Sequence, residues 1–344
     1  MYELNSITEN KLIEDITKNY HRSPIQINKL QESDSELLNI NLLKNDQLAV
    51  TTDSIVEEIE VGIYKDPYLI GWMTVMVNMS DLAAVGATPV GVLVSEILPD
   101  FLDDSFRTKL HNGISDACKE CSTYVIGGDT NFGKQLIISA TAIGITKNKM
   151  FNTRTGCKPG DVLYTTGKLG IGNAYALTQL AETERQIKYK PVAKLKTGKA
   201  ILGIASCCID TSDGVIAALD QLMRLNSVGI KMVPDWNDKM DDNSKTVMKE
   251  LNLPNWFLLA GQHGEFELVF TVPTEKESIL EKISSQLSLH FLRIGEIQSK
   301  KGFYLNINDE LVKLPTERIR NIASRINFNL NSYLKSLLEI DSSL

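Results

Sequence analysis

The spacing of apolar residues divides the chain into alternating helices and strands, without an internal repeat. Apolar positions three and four residues apart predict helices, and short runs rich in β-branched residues predict strands. The helices are expected at residues 7–20, 68–85, 104–119, 173–180, 192–205, 215–225 and 331–340. The strands are expected at residues 37–43, 47–52, 90–98, 124–126, 136–145, 162–166, 267–272, 288–294 and 302–307, with a loop at 127–134.

Strands and helices are mixed in both halves of this pattern, and a polar stretch at residues 147–158 separates the halves. A chain of 344 residues has the length of two ordinary domains. The pattern therefore predicts a mixed α+β or α/β protein with one domain at residues 1–150 and a second at residues 151–344.

Composition narrows the class of protein. The hydrophobic fraction of 43% and charged fraction of 23% are typical of a globular chain, and the net charge of −7 argues against nucleic acid or an anionic membrane as partner. We see no apolar run of membrane-spanning length and no signal-like N-terminus. The five cysteines indicate reduced thiols, so we expect a cytoplasmic protein. Cys118 and Cys121 lack a second pair at zinc spacing, and we interpret them as ordinary helix residues.

Several aspartates stand beside apolar or glycine-rich segments, where an unpaired carboxylate is costly. They are Asp53, Asp81, Asp129, Asp210 and Asp213. Asp81 follows Asn78 by three residues on an otherwise apolar helix, so the two side chains share a face. A single such aspartate is easily explained as a turn or cap residue. Together, with no Lys or Arg close in sequence, they indicate oxygen ligands for Mg²⁺.

Glycines follow two predicted strands, at Gly127 and Gly128 and in the turn that begins at Gly167. Backbone amides in such turns can approach a phosphate, so these glycines are candidates for nucleotide contact, although glycine also ends strands for conformational reasons. Residues 128–135 nearly match the phosphate-binding P-loop. We reject that interpretation of Lys134, because Gln135 replaces the required Ser or Thr and a strand follows instead of a helix.

Six short segments, in order, resemble the thiamine-monophosphate kinases of the AIR-synthetase-like superfamily. They are T-T-D-S-I-V-E from residue 51, N-M-S-D-L-A-A-V-G-A-T-P from 78, G-G-D-T from 127, R-T-G-C-K-P-G-D from 154, T-G-K-L-G from 166 and D-T-S-D-G from 210. The resemblance spans most of the chain.

This resemblance implies an N-terminal α/β domain whose strands form a barrel across a homodimer, a C-terminal α+β domain, and ATP bound with Mg²⁺ between the domains. It implies metal ligands, among them the catalytic aspartates, at Asp34, Thr51, Thr52, Asp53, Asp81, Asp129, Asp210 and Asp213. It implies nucleotide contacts at Gly127, Gly128, Asp129, Arg154 and Ser212. The γ-phosphate of ATP would pass to a phosphate on a small-molecule substrate, with thiamine monophosphate the leading candidate.

The chain departs from the kinase pattern at three places. Asp34 alone remains of a G-D-D-A segment, Glu60 replaces a histidine, and residues 261–268, which include His263 and Glu265, replace G-G-E-D-Y-E-L. Glu60 and Glu265 fall where the family recognises its substrate. Two alternatives stay open: an ATP-dependent synthetase that phosphorylates an amide or carbonyl oxygen, and a nucleotide-binding dimer without catalysis.

Overall fold

The computed structural model describes residues 15–26, 46–148, 150–181, 183–322 and 329–344. The chain divides into two compact units. The first comprises Met1–Leu82 and Ala87–Lys149, and the second comprises Ala83–Gly86 and Met150–Leu344. Asp34, the predicted strand at 37–43 and most of the predicted helix at 7–20 lie outside the described residues.

The first unit contains a four-stranded sheet. Its strands are β1 (Gln47–Ser54), β2 (Thr88–Pro99), β3 (Val125–Gly133) and β4 (Ile137–Thr146), and its helices are α1 (Val56–Glu60), α2 (Pro67–Val85) and α3 (Asp104–Glu120). The strand order is β1-β4-β2-β3, and among these pairs β2 and β3 run parallel, joined through α3. The sheet is open: no closed barrel is present among the described residues.

The two faces of this sheet differ. One face packs against helices, because the alternate residues Ile138, Ala140 and Ala142 of β4 are buried. Paired residues on neighbouring strands point to the same side, so the register places an apolar set on the opposite side. This set, which we call the open face, comprises Leu48, Val50, Leu93, Ile97, Ile137, Ile143 and Ile145. Leu48 and Val50 are 52% and 62% exposed.

Helix α2 is long and apolar enough to cross a membrane by length and composition alone. However, 72% of its most apolar window is buried in the protein, as is typical of a core helix.

The prediction of a loop at residues 127–134 is wrong, because most of it belongs to β3. The glycine pair suggested a turn, yet Gly128 lies directly beside Val94 in the parallel ladder. A Cβ atom at residue 128 would lie 2.0 Å from the Val94 carbonyl oxygen. Gly128 therefore permits close backbone pairing, and β3 continues to Gly133.

The second unit contains a seven-stranded mixed sheet in the order β11-β10-β7-β9-β5-β8-β6. Its strands are β5 (Val162–Thr165), β6 (Cys207–Asp210), β7 (Gly229–Met232), β8 (Leu268–Val272), β9 (Leu292–Gln298), β10 (Gly302–Ile307) and β11 (Glu310–Leu314). Its α-helices are α4 (Ile171–Leu180), α5 (Leu195–Ala200), α6 (Val215–Asn226), α7 (Asp242–Glu250), α8 (Phe257–Ala260), α9 (Glu277–Leu287), α10 (Thr316–Arg320) and α11 (Leu330–Asp341), with 3₁₀ turns at Trp236–Lys239 and Thr274–Lys276.

Two predicted bounds in this unit are wrong. The helix expected at 192–205 spans Leu195–Ala200, and the strand expected at 288–294 spans Leu292–Gln298. In the second case the apolar Leu289 and Phe291 mislead, because Ser288 has a left-handed backbone that ends α9 and delays the strand.

Candidate functional site

In the first unit, β1 and α2 bring two of the predicted ligands together. Thr51 Oγ1 donates a hydrogen bond to Asp81 Oδ2 at 2.5 Å. Asp53 lies two residues beyond Thr51 on β1 and therefore points to the same, helix-covered side of the sheet. Asn78, one turn before Asp81, is fully buried, and its Oδ1 has no hydrogen-bond partner among the described residues.

Asp129 and Thr52 lie on the other side of this sheet. The register pairs Asp129 with Ser95, and Thr52 Oγ1 accepts from Thr141 Oγ1 at 3.0 Å. Strands β4 and β2 separate β1 from β3, so roughly 14 Å of sheet lies between Asp53 and Asp129. The exposed Asp129 accepts from Asn131 Nδ2 at 2.6 Å. The structure thus joins Thr51 with Asp81 and keeps Asp129 apart from Asp53.

In the second unit, Asp210 and Asp213 flank the turn between β6 and α6. Asp210, the last residue of β6, is buried, and Ser212 Oγ donates to its Oδ1 at 3.2 Å, while Asp213 is exposed. Gly214 precedes the helix with φ +87° and ψ 164°, a backbone conformation that glycine alone adopts readily. The turn therefore presents hydroxyl and carboxylate oxygens at the start of a 12-residue helix.

Arg154 lies on an exposed loop that Asn226 holds in place; we call residues 153–156 the Arg154 loop. Asn226, at the end of α6, donates from Nδ2 to the Arg154 carbonyl at 2.9 Å. Its Oδ1 accepts from the Gly156 amide at 2.7 Å. One amide side chain thus fixes both ends of the turn that carries the Arg154 guanidinium.

In the glycine turn before α4, which begins at Gly167, a backbone amide already donates a hydrogen bond to a carboxyl group of this chain. The Gly170 amide donates to Glu265 Oε2 at 3.1 Å, and the carboxyl of Glu267 lies where a side chain at Gly167 would be. Glu265 is buried, its Oε1 has no partner among the described residues, and burial raises its pKa to about 8. As positioned, Glu265 contacts the backbone of this turn.

His263 packs in an aromatic cluster near the same turn. Its ring lies 5.0 Å from the ring of Tyr189 and 6.0 Å from that of Tyr175, measured between centroids. His263 Nδ1 lies 3.0 Å from the Gly172 carbonyl oxygen, and burial lowers the pKa of His263 to about 4. A neutral imidazole that donates to this carbonyl is the arrangement that fits both observations.

Glu60 and Lys134 are both exposed. Glu60 is the last residue of α1. Lys134 stands in the turn between β3 and β4, so no helix follows it, as the rejection of a P-loop requires.

A buried polar cluster beside β3 was not predicted from the sequence. His111 Nε2 lies 3.1 Å from Glu96 Oε2, and both side chains are 3% exposed. Thr130 Oγ1 donates to Glu96 Oε1 at 3.0 Å, which ties the residue after Asp129 to α3. The available signal was a glutamate in the mostly apolar strand predicted at 90–98.

Comparison with known proteins places this fold in a class. Residues 33–146 match the family model of the AIR synthase related protein, N-terminal domain. A solved structure of E. coli HypE, a hydrogenase maturation protein, has a TM-score of 0.72 at 18% identity and covers 89% of this chain and 96% of its own. AaThiL complexed with AMPPCP and TMP has a TM-score of 0.66 at 24% identity and covers 79% and 89%. The fold is therefore the one that these solved structures share, and fold likeness alone does not choose between them.

Sequence similarity to curated proteins identifies the family. The thiamine-monophosphate kinase of Pyrococcus horikoshii is 30% identical over 273 residues, which are 78% of this chain and 84% of that protein. The chain belongs to the thiamine-monophosphate kinase family.

Proposed function

We propose that this protein transfers the γ-phosphate of ATP to thiamine monophosphate. The 30% identity to a thiamine-monophosphate kinase, over 84% of that relative, carries the proposal. The complex of AaThiL with AMPPCP and TMP supports it, because that protein binds an ATP analogue. Residues 1–150 and 151–344 then correspond to the two domains of an AIR-synthetase-like kinase.

The candidate donors fit Mg²⁺ in their chemistry. Within the described residues, no three His, Cys, Asp or Glu side chains gather closely enough to form a metal cage. Mg²⁺ does not need such a cage, since it retains waters and takes one or two carboxylates together with substrate phosphates. Asn78 Oδ1, a buried oxygen without a partner in the described part of the chain, supports an additional oxygen ligand beside Asp81.

Three groups of oxygen donors would then hold Mg²⁺ and the phosphates. They are Thr51, Asp53 and Asp81; Thr52 and Asp129; and Asp210, Ser212 and Asp213, with Asp34 as a further ligand. Bound Mg²⁺ neutralises phosphate charge. The chain's own part is positioning: Thr51 fixes the rotamer of Asp81, and Ser212 orients Asp210. Gly127, Gly128, Gly167 and Arg154 would contact the nucleotide.

Product analysis tests the proposal. Incubation with ATP, Mg²⁺ and thiamine monophosphate should yield a stable thiamine product with one more phosphate, together with ADP. Asp81→Asn should abolish turnover with the fold intact, because the substitution removes a ligand charge but keeps an acceptor for Thr51. Lys134→Ala, in an exposed turn, is the matched control and should cost little. The opposite ranking of these variants would revive a P-loop mechanism.

The same assay separates the alternatives. A synthetase would release free phosphate only with a second reactant, and a nucleotide-binding dimer without catalysis would leave ATP intact. Glu60→His restores the residue of the family pattern. If Glu60 meets the substrate, this variant should raise kcat/KM for thiamine monophosphate, because a glutamate repels phosphate while a histidine can donate to it. An unchanged kcat/KM would show that the exposed Glu60 lies away from the substrate.

We also propose a cytoplasmic homodimer that buries the open face. Its apolar side chains, with Val50 62% exposed, are an unusual surface for a monomer. A second copy with the same face would cover it and bring the strands toward the expected barrel. Val50→Lys should convert a sedimenting dimer to a monomer, whereas Leu225→Lys, at an exposed leucine of the second unit, should not. A monomeric wild type at micromolar concentration would contradict the proposal.

A further inference from the structure

Two cysteines that are distant in sequence meet beside the Arg154 loop. The Cys157 amide donates to Cys207 Sγ at 2.9 Å, which places the two cysteines side by side. Cys157 immediately follows the loop, and Cys207 is the first residue of β6. Both are buried, at 5% and 1% exposure, beneath loop residues that are themselves exposed.

The two sulfurs are not equivalent. The hydrogen bond from Cys157 lowers the pKa of the Cys207 thiol. The neighbouring Cys207 sulfur, together with burial, raises the pKa of the Cys157 thiol far above its usual range. Of the two thiols, Cys207 is therefore the one that loses its proton more readily. This asymmetry is typical of a nucleophilic cysteine with a resolving partner.

We propose that Cys157 and Cys207 form a reversible disulfide in response to hydroperoxides and thereby lock the Arg154 loop onto β6. The Cys207 thiolate attacks the peroxide O–O bond, takes one oxygen as a sulfenic acid, and releases an alcohol, or water from hydrogen peroxide. The Cys157 thiol then attacks that sulfur, an S–S bond forms, and water leaves. Two electrons pass from the sulfurs to the peroxide, and a dithiol reductant reverses the change.

The other cysteines provide an internal contrast. Cys118 and Cys121 have the Cys-x-x-Cys spacing of many redox pairs, yet burial raises both pKa values, that of Cys121 to about 12, whereas hydrogen bonding outweighs burial at Cys207. Cys121 Sγ also faces Met76 Sδ at 3.7 Å. Cys208 alternates to the other side of β6 and packs into the core cluster around Phe270. Oxidation should therefore select the pair without a sequence signature.

The disulfide would change the surroundings of Arg154. Cys207 Sγ now donates to the Arg154 carbonyl at 3.5 Å, and oxidation removes that donor. The bond would also fix the loop to the strand that ends at Asp210. We expect the KM for ATP to rise several-fold on oxidation, an effect that rests on the proposed kinase function; formation of the bond does not.

Thiol counting with peptide mass mapping tests the bond itself. The full-length protein, treated with a small excess of hydrogen peroxide and then alkylated under denaturing conditions, should lose two of its five thiols. The linked peptides should contain Cys157 and Cys207, and dithiothreitol should restore both thiols. A double variant, Cys118→Ser with Cys121→Ser, should oxidise as the wild type does.

Single variants separate chemistry from folding. Cys157→Ala should stop at a Cys207 sulfenic acid that dimedone traps, whereas Cys207→Ser should give no trapped sulfenic acid at Cys157. A bond between Cys118 and Cys121 or between Cys207 and Cys208, or no loss of thiols, would overturn the proposal. A confirmed Cys157–Cys207 bond with unchanged KM for ATP would overturn the link to nucleotide binding, whether or not thiamine monophosphate is the substrate.

Discussion

Glu265 and His263 should give the stability of this protein two opposite pH dependences. The pKa of Glu265 is about 8 in the fold against 4.5 for an ordinary glutamate, so the folded protein holds a proton that the unfolded chain has released. The contribution of Glu265 to the free energy of unfolding is complete below pH 4.5 and is lost as pH rises to about 8. The pKa of His263 falls from 6.5 to about 4, so its contribution is complete above pH 6.5 and is lost as pH falls toward 4.

The size of this stability change follows from the difference between the folded and unfolded pKa values of Glu265. The difference between 8 and 4.5 is 3.5 pH units, and each unit corresponds to about 1.4 kcal/mol, which gives at most about 5 kcal/mol. Glu265→Gln removes the titration but keeps an acceptor for the Gly170 amide. The variant should therefore gain stability over the wild type progressively between pH 5 and pH 8.

Urea unfolding at intervals from pH 4 to pH 8.5 measures this difference directly. Subtracting the wild-type curve from that of Glu265→Gln cancels every titration the two proteins share. In a plot of the free energy of unfolding against pH, His263→Gln should keep the fall at alkaline pH. It should remove the part of the fall below pH 6.5 that the titration of His263 causes. Parallel curves for wild type and Glu265→Gln from pH 5 to pH 8 would refute the assignment of a buried, protonated Glu265.

Three further predictions test the packing around the candidate site. His111→Leu leaves Glu96 buried without its imidazole partner and should lower the free energy of unfolding in urea by about 3–5 kcal/mol. The control Asp104→Ala, at a surface ion pair, should lower it by less than about 1 kcal/mol. Equal losses would contradict a buried pair. Asn226→Ala frees the loop that it clamps and should raise the KM for ATP with little change in kcat; an unchanged KM would show that the clamp is not needed. Gly128→Ala should destabilise the fold by at least about 1–3 kcal/mol, because the added Cβ meets the neighbouring strand; an unaltered melting temperature would contradict that contact.

The sequence predicted best the helices and strands whose hydrophobic repeat is complete within a single element. The expected strand at 47–52 and helix at 68–85 lie within β1 (Gln47–Ser54) and α2 (Pro67–Val85), because alternation and the 3.6-residue repeat act over one element. Of the five strands of four or five residues that the structure describes, three, β6, β7 and β11, escaped prediction, whereas β5 and β8 were found.

Errors and omissions at the candidate site have one physical cause. A contact between distant segments leaves no local pattern: Cys157 meets Cys207 across 50 residues, and the Gly170 amide meets Glu265 across 95. Gly128 was interpreted as part of a loop because its reason for being glycine, the Val94 carbonyl, lies on another strand. The aspartates could be found because their placement beside apolar segments is visible in the sequence itself.

Within the described part of the chain, β1 lies at the edge of its sheet, and this position has a consequence for synthesis of the protein. β1 pairs with β4, and its partners in the register lie 85 to 99 residues further along the chain, from Ser54 with Ser139 to Gln47 with Thr146. At about 5–20 residues per second, a ribosome needs roughly 5–20 s to make that stretch. During this interval Leu48 and Val50 have been synthesised, but their partner strand β4 has not. Nascent chains of this protein should therefore be retained longest by chaperones at β1, and Thr51 should reach Asp81 only after β4 has left the ribosome.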